Sequence, residues 1–331
     1  MTTGGQMSMM KAVVIYQAGP SEVLRHEERP IPDPMPGWVL IRVRAFGLNR
    51  SELFTRQGHS PNVQFPRILG IEAVGTVAAA PDGDFAVGDT VATAMGGMGR
   101  QFDGGYAEYV LVPRNQVLKL RTTLDWNVLG ALPEMVQTAW GALNRALGIK
   151  RGETLLIRGG STSVGLTAAI LAKQAGLHVI ATTRREERRE MLLTNGADTV
   201  LIDDGHIAPT LRRHFPDGVT QVLELVGTST LLDSLQCAAS GGNVCMAGMV
   251  GDAWELDRFS PMDSIPTAVK LTTYSGGSED FIKTPLQDVI DAIEAGTFQT
   301  PLGKVFSFGD IVAAHQTMEN NSAGGKIVVV T

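Results

Sequence analysis

Residues 154–187, TLLIRGGSTSVGLTAAILAKQAGLHVIATTRREE, constrain this chain more than any other stretch. A short apolar run, TLLIR, stops at a glycine pair. From Val164-Gly165-Leu166 the composition becomes rich in Ala and Leu, as a helix requires, and HVIATT is again a β-branched run. Strand, turn, helix and strand in that order is a crossover that sets its two strands parallel. The pattern continues through DTVLI, QVLELV, NVCMAG and KLTTYS. All but the last of the gaps between these runs have helical spacing or length; the last, from about Gly251 to Val269, is longer and contains proline. From Val128 to Tyr274 the chain therefore predicts a mostly parallel sheet with helices on both faces.

The flanks have a different texture. Before this block, KAVVIY, WVLIRVRAFGL, GTVAAA, DTVATA and YAEYVLVP are short β-rich runs punctuated by Pro, Gly and Asp. After it come two helices and a closing strand, GKIVVV. In the first of those helices Thr284-Pro285 reads as the N-cap and first turn, and Leu286, Val289, Ile290 and Ile293 form one apolar face. A chain of 331 residues is long enough for two domains. The expected division is residues 128–274 as a middle domain inserted into a domain made of 1–127 and 275–331. Residues 1–9, MTTGGQMSM, carry no amphipathic pattern and read as an extension outside the fold.

Composition matters mainly for what it excludes. A formal net charge of −6 argues against nucleic acid or an anionic membrane as an obligatory partner, and no apolar run is long enough to span a bilayer. Two cysteines, Cys237 and Cys245, cannot form a disulfide framework or a four-cysteine zinc site. They read as buried free thiols in a reducing compartment, which makes the cytoplasm the expected location.

The glycine turn suits a dinucleotide. A helix N-terminus offers unpaired N–H groups and the positive end of the helix dipole to a pyrophosphate. Gly160 is expected to make the tight turn, and Gly165 to let the helix pack closely on the strand. Thr162 stands where a glycine usually lets the backbone approach the phosphates. The hydroxyls of Ser161, Thr162 and Ser163 can donate hydrogen bonds in partial exchange, with Val164 opening the helix. The alternative is an ordinary strand-to-helix connection that binds nothing. The second strand ends in Thr182-Thr183-Arg184-Arg185, with no acid before Glu186. A carboxylate there would hold a ribose 2′-hydroxyl and repel a 2′-phosphate, whereas a guanidinium can grip the phosphate. The expected cofactor is thus NADPH, held by Thr183 and Arg184. Thr183 and Glu186 could equally form a capping box with the arginines solvated.

Together with KAVVIYQAGPSEVL, GLNRSELFTRQG, FPRILGIEAVGTV, GDTVATAMGG, DGGYAEYVLVP, LPEMVQTAWGAL and GGKIVVV, this turn resembles the medium-chain dehydrogenase/reductase superfamily on its zinc-independent quinone oxidoreductase branch. The resemblance runs from about Met10 to Thr331. It implies an α/β fold, a Rossmann doubly wound parallel sheet inserted in a GroES-like β-rich domain, with many members dimeric. Zinc-dependent members hold their metal at positions that match Asn49, Ile71 and Glu134 here, a set without thiolate or imidazole and a poor zinc binder. No metal is expected. The resemblance implies cofactor contacts at Asn49, Thr138, Asn321 and Lys326; Gly227 and Gly248, at strand ends, belong to the same rim.

Without a Lewis acid, the chemistry implied is hydride transfer to a quinone or an α,β-unsaturated carbonyl, whose developing oxygen needs a hydrogen bond and finally a proton. Asn49 is the candidate for that hydrogen bond, or it is a turn asparagine. Some relatives carry a tyrosine where this chain has Phe54, so the donor is unassigned among Arg56, His59, Tyr106 and water. Glu52 and Arg56, four apart, could simply be a salt-bridged helix pair. Other readings are reduction of another double bond or an enoyl intermediate, and a non-catalytic cofactor-binding role. KLTTYSGG would end the sheet with an open edge, which predicts a homodimer joined through residues 269–274.

Overall fold

The computed structural model describes residues 8–331; most of the expected N-terminal extension therefore lies outside the described residues. Ser8 and Met9 do not. The Ser8 carbonyl accepts from the Ile31 amide, and Met9 starts a strand paired with Pro30, so the fold begins before the first basic residue.

The chain divides into two compact units, one of residues up to Glu134 together with Gly277–Thr331, the other Met135–Gly276. The first is β-rich. Its strands are β1 (Met9–Ile15), β2 (Arg25–Pro30), β3 (Trp38–Gly47), β4 (Arg67–Ile68), β5 (Glu72–Ala79), β6 (Thr90–Ala94), β7 (Tyr109–Pro113) and β8 (Val117–Lys119). The α/β unit contributes β9 (Thr154–Arg158), β10 (His178–Thr183), β11 (Thr199–Ile202), β12 (Val219–Glu224), β13 (Ala238–Met246) and β14 (Lys270–Thr273); β15 (Leu302–Ser307) and β16 (Lys326–Val330) return to the first unit. A seven-stranded sheet runs β15-β16-β3-β5-β6-β8, with β7 also on β3, beside a three-stranded sheet β2-β1-β4. The two ends of the chain meet here, because β16 pairs antiparallel with β3, Val329 opposite Phe46. Ile15, Ile41, Phe46, Leu69, Tyr106 and Val329 form the center of this unit's core.

Residues 128–134, read above as the start of the middle domain, belong instead to the β-rich unit. The short helix Trp126–Leu129 lies on β3 and β16, and a side chain at Gly130 would press on Ala45 and Val328. Thr284 is a second correction. Its hydroxyl donates to the Asp280 carbonyl at 2.9 Å, closing the preceding helix rather than capping Leu286–Glu294.

The α/β unit holds a six-stranded parallel sheet in the order β11-β10-β9-β12-β13-β14. Alternation along each strand sends side chains to opposite faces. Leu155, Ile157, Val179 and Leu223 pack on one side, and Leu156, Ile180, Val222 and Val244 on the other, so both faces are buried under helices. Cys237 and Cys245 are buried and free, and burial pushes each thiol up to about 12. Among the described residues no helix is long and apolar enough to cross a membrane.

Candidate functional site

In the α/β unit the glycine turn joins β9 to the helix Ser163–Gln174 at the carboxyl end of the sheet, where open α/β sheets bind ligands. The tight turn is made by Gly159, at φ +80°, and not by Gly160. A side chain at Gly160 would instead stand 2.8 Å from the Ala181 Cβ, so that glycine serves the close approach to β10. Gly165 does what the sequence suggests, since a Cβ there would lie 2.7 Å from the carbonyls of Gly159 and Gly160. Thr162 is the helix N-cap. Its hydroxyl donates to the Gly159 carbonyl at 2.9 Å and accepts from the Gly165 amide at 3.0 Å. The threonine that replaces the middle glycine is thereby committed to the turn itself.

Beyond β10 the arginines lie close together. Arg184 and Arg185 are exposed, and Arg188, half-buried, donates to the Ser161 hydroxyl at 3.3 Å. Burial and the charges of Arg185 and Arg184 hold the Arg188 guanidinium below its ordinary value. A group of guanidiniums that repel one another beside a serine of the turn has the chemistry to take a phosphate. Arg188 was missed in the sequence, where it looked like one more solvated helix charge. The Thr183–Glu186 capping box does not form: the Thr183 hydroxyl accepts from the Arg185 amide at 3.2 Å, and Glu186 pairs with Arg189. Gly227, at φ +112°, and Gly248 touch each other after β12 and β13, a Cβ on Gly227 falling 3.3 Å from the Gly248 carbonyl. Thr138 lies half-buried on the helix Pro133–Gly141.

In the β-rich unit Asn49 and Lys326 meet. Asn49 precedes the helix Arg50–Gln57, and its Nδ2 donates to Glu72 Oε1 at 2.8 Å while its Oδ1 accepts from the Lys326 ammonium. That ammonium also reaches Glu72 at 2.8 Å and Glu134 at 3.4 Å. Glu52 accepts from the Asn49 and Ile71 amides, each at 3.1 Å, and Glu72 from the Glu134 amide at 2.9 Å. Burial pushes the Glu52 carboxyl up to about 7, and it also raises that of Glu72. Lys326 stays above its usual value because Glu72 and Glu134 outweigh the effect of burial. Any side chain at Gly47 would collide with the Glu72 carboxylate and the Lys326 stem, so glycine is required there. The oxygens of Asn49 and Glu134 that would face a divalent cation already hold an ammonium, and Ile71 offers no donor atom. This pocket does not fit zinc.

The remaining candidates disperse. Tyr106 and His315 are buried and bonded to each other at 3.0 Å; burial raises the phenol and lowers the imidazole to about 3. Arg56 is fully buried and pairs with Glu319, so it forms no helix pair with Glu52. Neither Arg56 nor Tyr106 is placed to give up a proton to a ligand. Phe54 is buried, and His59 is exposed beside it at 6.5 Å between ring centers. Asn321, at φ +51°, accepts from Arg50.

A β-rich unit closed by both ends of the chain, with a parallel sheet and glycine turn between them in sequence, is the architecture of a two-domain dehydrogenase. Residues 35–122 match the alcohol dehydrogenase GroES-like domain, and residues 163–294 match the zinc-binding dehydrogenase family. The chain is 28% identical to the quinone oxidoreductase of Homo sapiens over 341 residues, covering the whole of both. It is 27% identical to an acryloyl-coenzyme A reductase of Sulfurisphaera tokodaii, covering 97% of this chain and 99% of that one. A mycobacterial protein solved in complex with NADPH superposes with a TM-score of 0.86 at 27% identity, over 97% of this chain and 100% of that one. The chain belongs to the medium-chain dehydrogenase/reductase superfamily of oxidoreductases, in its quinone oxidoreductase-like branch.

Proposed function

We propose that this protein is a cytoplasmic, zinc-independent reductase that transfers hydride from NADPH to quinones or α,β-unsaturated carbonyls. The observation that carries the cofactor reading is the guanidinium group of Arg184, Arg185 and Arg188 beside Ser161, with no acidic residue following β10 in the chain before Glu186. Arg184 and Arg188 hold the 2′-phosphate, and Ser161, Ser163 and Val164 present the helix start to the pyrophosphate, while Thr162 fixes its geometry. Thr138, Gly227 and Gly248 border the nicotinamide side. NADPH, when bound, supplies the hydride.

The β-rich unit supplies an ammonium where zinc-dependent relatives hold a metal. Lys326, held by Glu72, Glu134 and Asn49, keeps positive charge in a buried place without a Lewis acid. Asn49 has both ends of its amide engaged and acts by placing Lys326. With Tyr106 and His315 locked on each other, water is the proton source. An acceptor already conjugated to a carbonyl needs no metal, which suits a relative named for acryloyl-coenzyme A as well as those named for quinones. Among the described residues the outer edge of β14 pairs with no strand, and we assign it to a homodimer in which residues 269–274 meet their twin.

Titration of NADPH and NADH against the wild type and Arg184→Ala, Arg188→Ala and double variants tests the cofactor reading. A charge-assisted hydrogen bond to the 2′-phosphate is worth about 1.5–3 kcal/mol, so NADPH should weaken by roughly 10- to 100-fold in each single variant and further in the double variant, while NADH barely moves. Equal affinity of the wild type for both cofactors would remove the proposal. A panel of quinones, enones and aldehydes with NADPH then identifies the acceptor, and full activity after chelation with no bound zinc is the expected metal result.

A further inference from the structure

Arg158 ends β9, a central strand flanked by β10 and β12, and its side chain is fully buried. A cation at such a position costs several kcal/mol unless its donors are met. They are met by a fork. Nε and Nη2 grip both oxygens of Asp203 at 2.9 and 2.8 Å, and Nη1 reaches Asp233 at 2.5 Å and Ser234 Oγ at 3.3 Å.

From there two branches run to the rim. On one, Asp203 accepts from the Thr182 hydroxyl at 3.2 Å, and Thr182 accepts from the Gly159 amide at 3.0 Å. On the other, Ser234 donates to Glu224 Oε2 at 2.5 Å, and Glu224 Oε1 accepts from the amides of Val226 and Gly227 at 2.7 and 3.0 Å. Gly159 and Gly227 are the left-handed glycines that open the turns after β9 and β12, at φ +80° and +112°. Each has its amide pinned by a chain of hydrogen bonds that begins at the same guanidinium. Each chain converges on a carboxylate that only accepts, Arg158 and Thr182 both donating to Asp203, and Ser234 and the Gly227 amide both to Glu224, so the two hydroxyls have one preferred orientation. Asp233 extends the network by accepting from the Ile207 and Ala208 amides, at 2.9 and 3.3 Å, where the next helix starts.

We infer that Arg158 is a positioning residue that sets both rim turns of the α/β unit in register for the dinucleotide, acting through Thr182 on Gly159 and through Ser234 and Glu224 on Gly227. The inference rests on the cofactor reading above for what the turns bind, but the positioning is a property of the free protein. A buried lysine could supply the charge and not the fork, because only the planar guanidinium can serve Asp203 bidentately and Asp233 and Ser234 together.

The test uses Thr182→Val, Thr182→Ser, Ser234→Ala and Arg158→Met in the full chain. Two quantities are read: the exchange rates of the Gly159 and Gly227 amides without ligand, and the Kd for NADPH. Thr182→Val, which keeps the shape and leaves Asp203 paired with Arg158, should speed exchange at Gly159 alone and raise the Kd roughly five- to tenfold, the effect of one lost hydrogen bond. Thr182→Ser should restore both. Ser234→Ala should speed Gly227 alone, and Arg158→Met, where it folds, should speed both. If Thr182→Val leaves Gly159 exchange at the wild-type rate, the positioning role fails, whatever the cofactor. If exchange responds as stated but the wild type binds no nicotinamide cofactor, the cofactor reading fails and the positioning stands.

Discussion

Each unit buries a cation among several carboxylates, Arg158 in one and Lys326 in the other, and the two solve the same problem differently. In the α/β unit Arg158 faces Asp203 and Asp233, with Glu224 one serine away. In the β-rich unit Lys326 faces Glu72 and Glu134, with Glu52 behind Asn49. The guanidinium has five N–H donors in a fixed plane and the ammonium only three. Arg158 engages both Asp203 oxygens, so although burial raises that carboxyl, the net effect holds it below its ordinary range. Lys326 uses its three donors on Asn49, Glu72 and Glu134, and none is left for Glu52, which sits near a pKa of about 7. The fork holds Asp203 below its ordinary range, although burial still raises Glu224 one serine further out; the point charge leaves both Glu52 and Glu72 raised.

The harshest way to break the comparison is to remove the cation from the proton-binding side. Lys326→Met strips the charge from buried Glu72, and loss of one partner of a buried pair costs about 3–5 kcal/mol. Urea unfolding should show that loss in full at alkaline pH, and a smaller loss in mild acid, where the carboxyls take up protons. Lys326→Met with Glu72→Gln should recover most of it. A pH-independent loss would mean that these carboxyls stay ionized, as Asp203 beside Arg158 does.

The pH dependence is the next largest effect, about 3 kcal/mol for a shift of this size on a fully buried carboxyl. The Glu52 carboxyl, at about 7 against an ordinary 4.5, binds its proton more tightly in the folded chain. Its contribution is full below pH 4.5 and lost as the pH rises to 7. His315 acts in the opposite sense. Lowered from 6.5 to about 3, it favors the fold fully above pH 6.5 and loses that contribution as the pH falls toward 3. The two oppose each other between 4.5 and 6.5. Relative to the wild type, Glu52→Gln should make stability climb more steeply with pH across that window, and His315→Gln should make it fall. Parallel curves for all three proteins would remove Glu52 as a proton-binding group.

How much of this could be read from the chain differs by kind of residue. The turn was legible because glycine, hydroxyl and helix signals sit within a few residues of one another. Even so, two adjacent glycines could not be told apart, since φ at Gly159 and the approach of Ala181 to Gly160 depend on how β10 lies beside β9. Arg158 looked like the end of a strand, and its partners lie 45 and 75 residues away, so nothing local marks it as buried. Asn49, Glu134 and Lys326 were visible singly through the resemblance. Their convergence on Glu72, and the part played by Glu52, depend on β16 returning to β3. Tyr106 was a fair donor by residue type, but tertiary packing decided otherwise: it stacks on Phe46 at 4.7 Å and bonds His315.

A milder change sharpens the contrast between fork and point charge. Arg158→Lys keeps the charge and loses the bidentate hold on Asp203, which we expect to cost about 2 kcal/mol, in the range for hydrogen bonds to charged groups. Thermal and urea unfolding should agree on it, and Asp203 should titrate at higher pH than in the wild type. An unchanged Asp203 would show that charge alone, not the planar geometry, keeps that carboxyl ionized.

The smallest expected effect falls on Glu134. Its contact with Lys326 is long, 3.4 Å, and its side chain is 15% exposed, so the pair should contribute no more than about 0.5–1 kcal/mol. Glu134→Gln keeps an oxygen for the ammonium and leaves in place the backbone amide that donates to Glu72. It also removes a negative charge that helps to raise the Glu72 carboxyl. These effects oppose each other, so stability at neutral pH should change by less than about 0.5 kcal/mol in either direction. The carboxyl carbon of Glu72, followed by NMR, should nevertheless titrate at lower pH. Stability unchanged with Glu72 shifted is the result expected if Lys326 is held mainly by Glu72 and Asn49. A loss above about 2 kcal/mol would show instead that all three partners matter alike, as in a buried fork, and that a lysine can do in one unit what takes an arginine in the other.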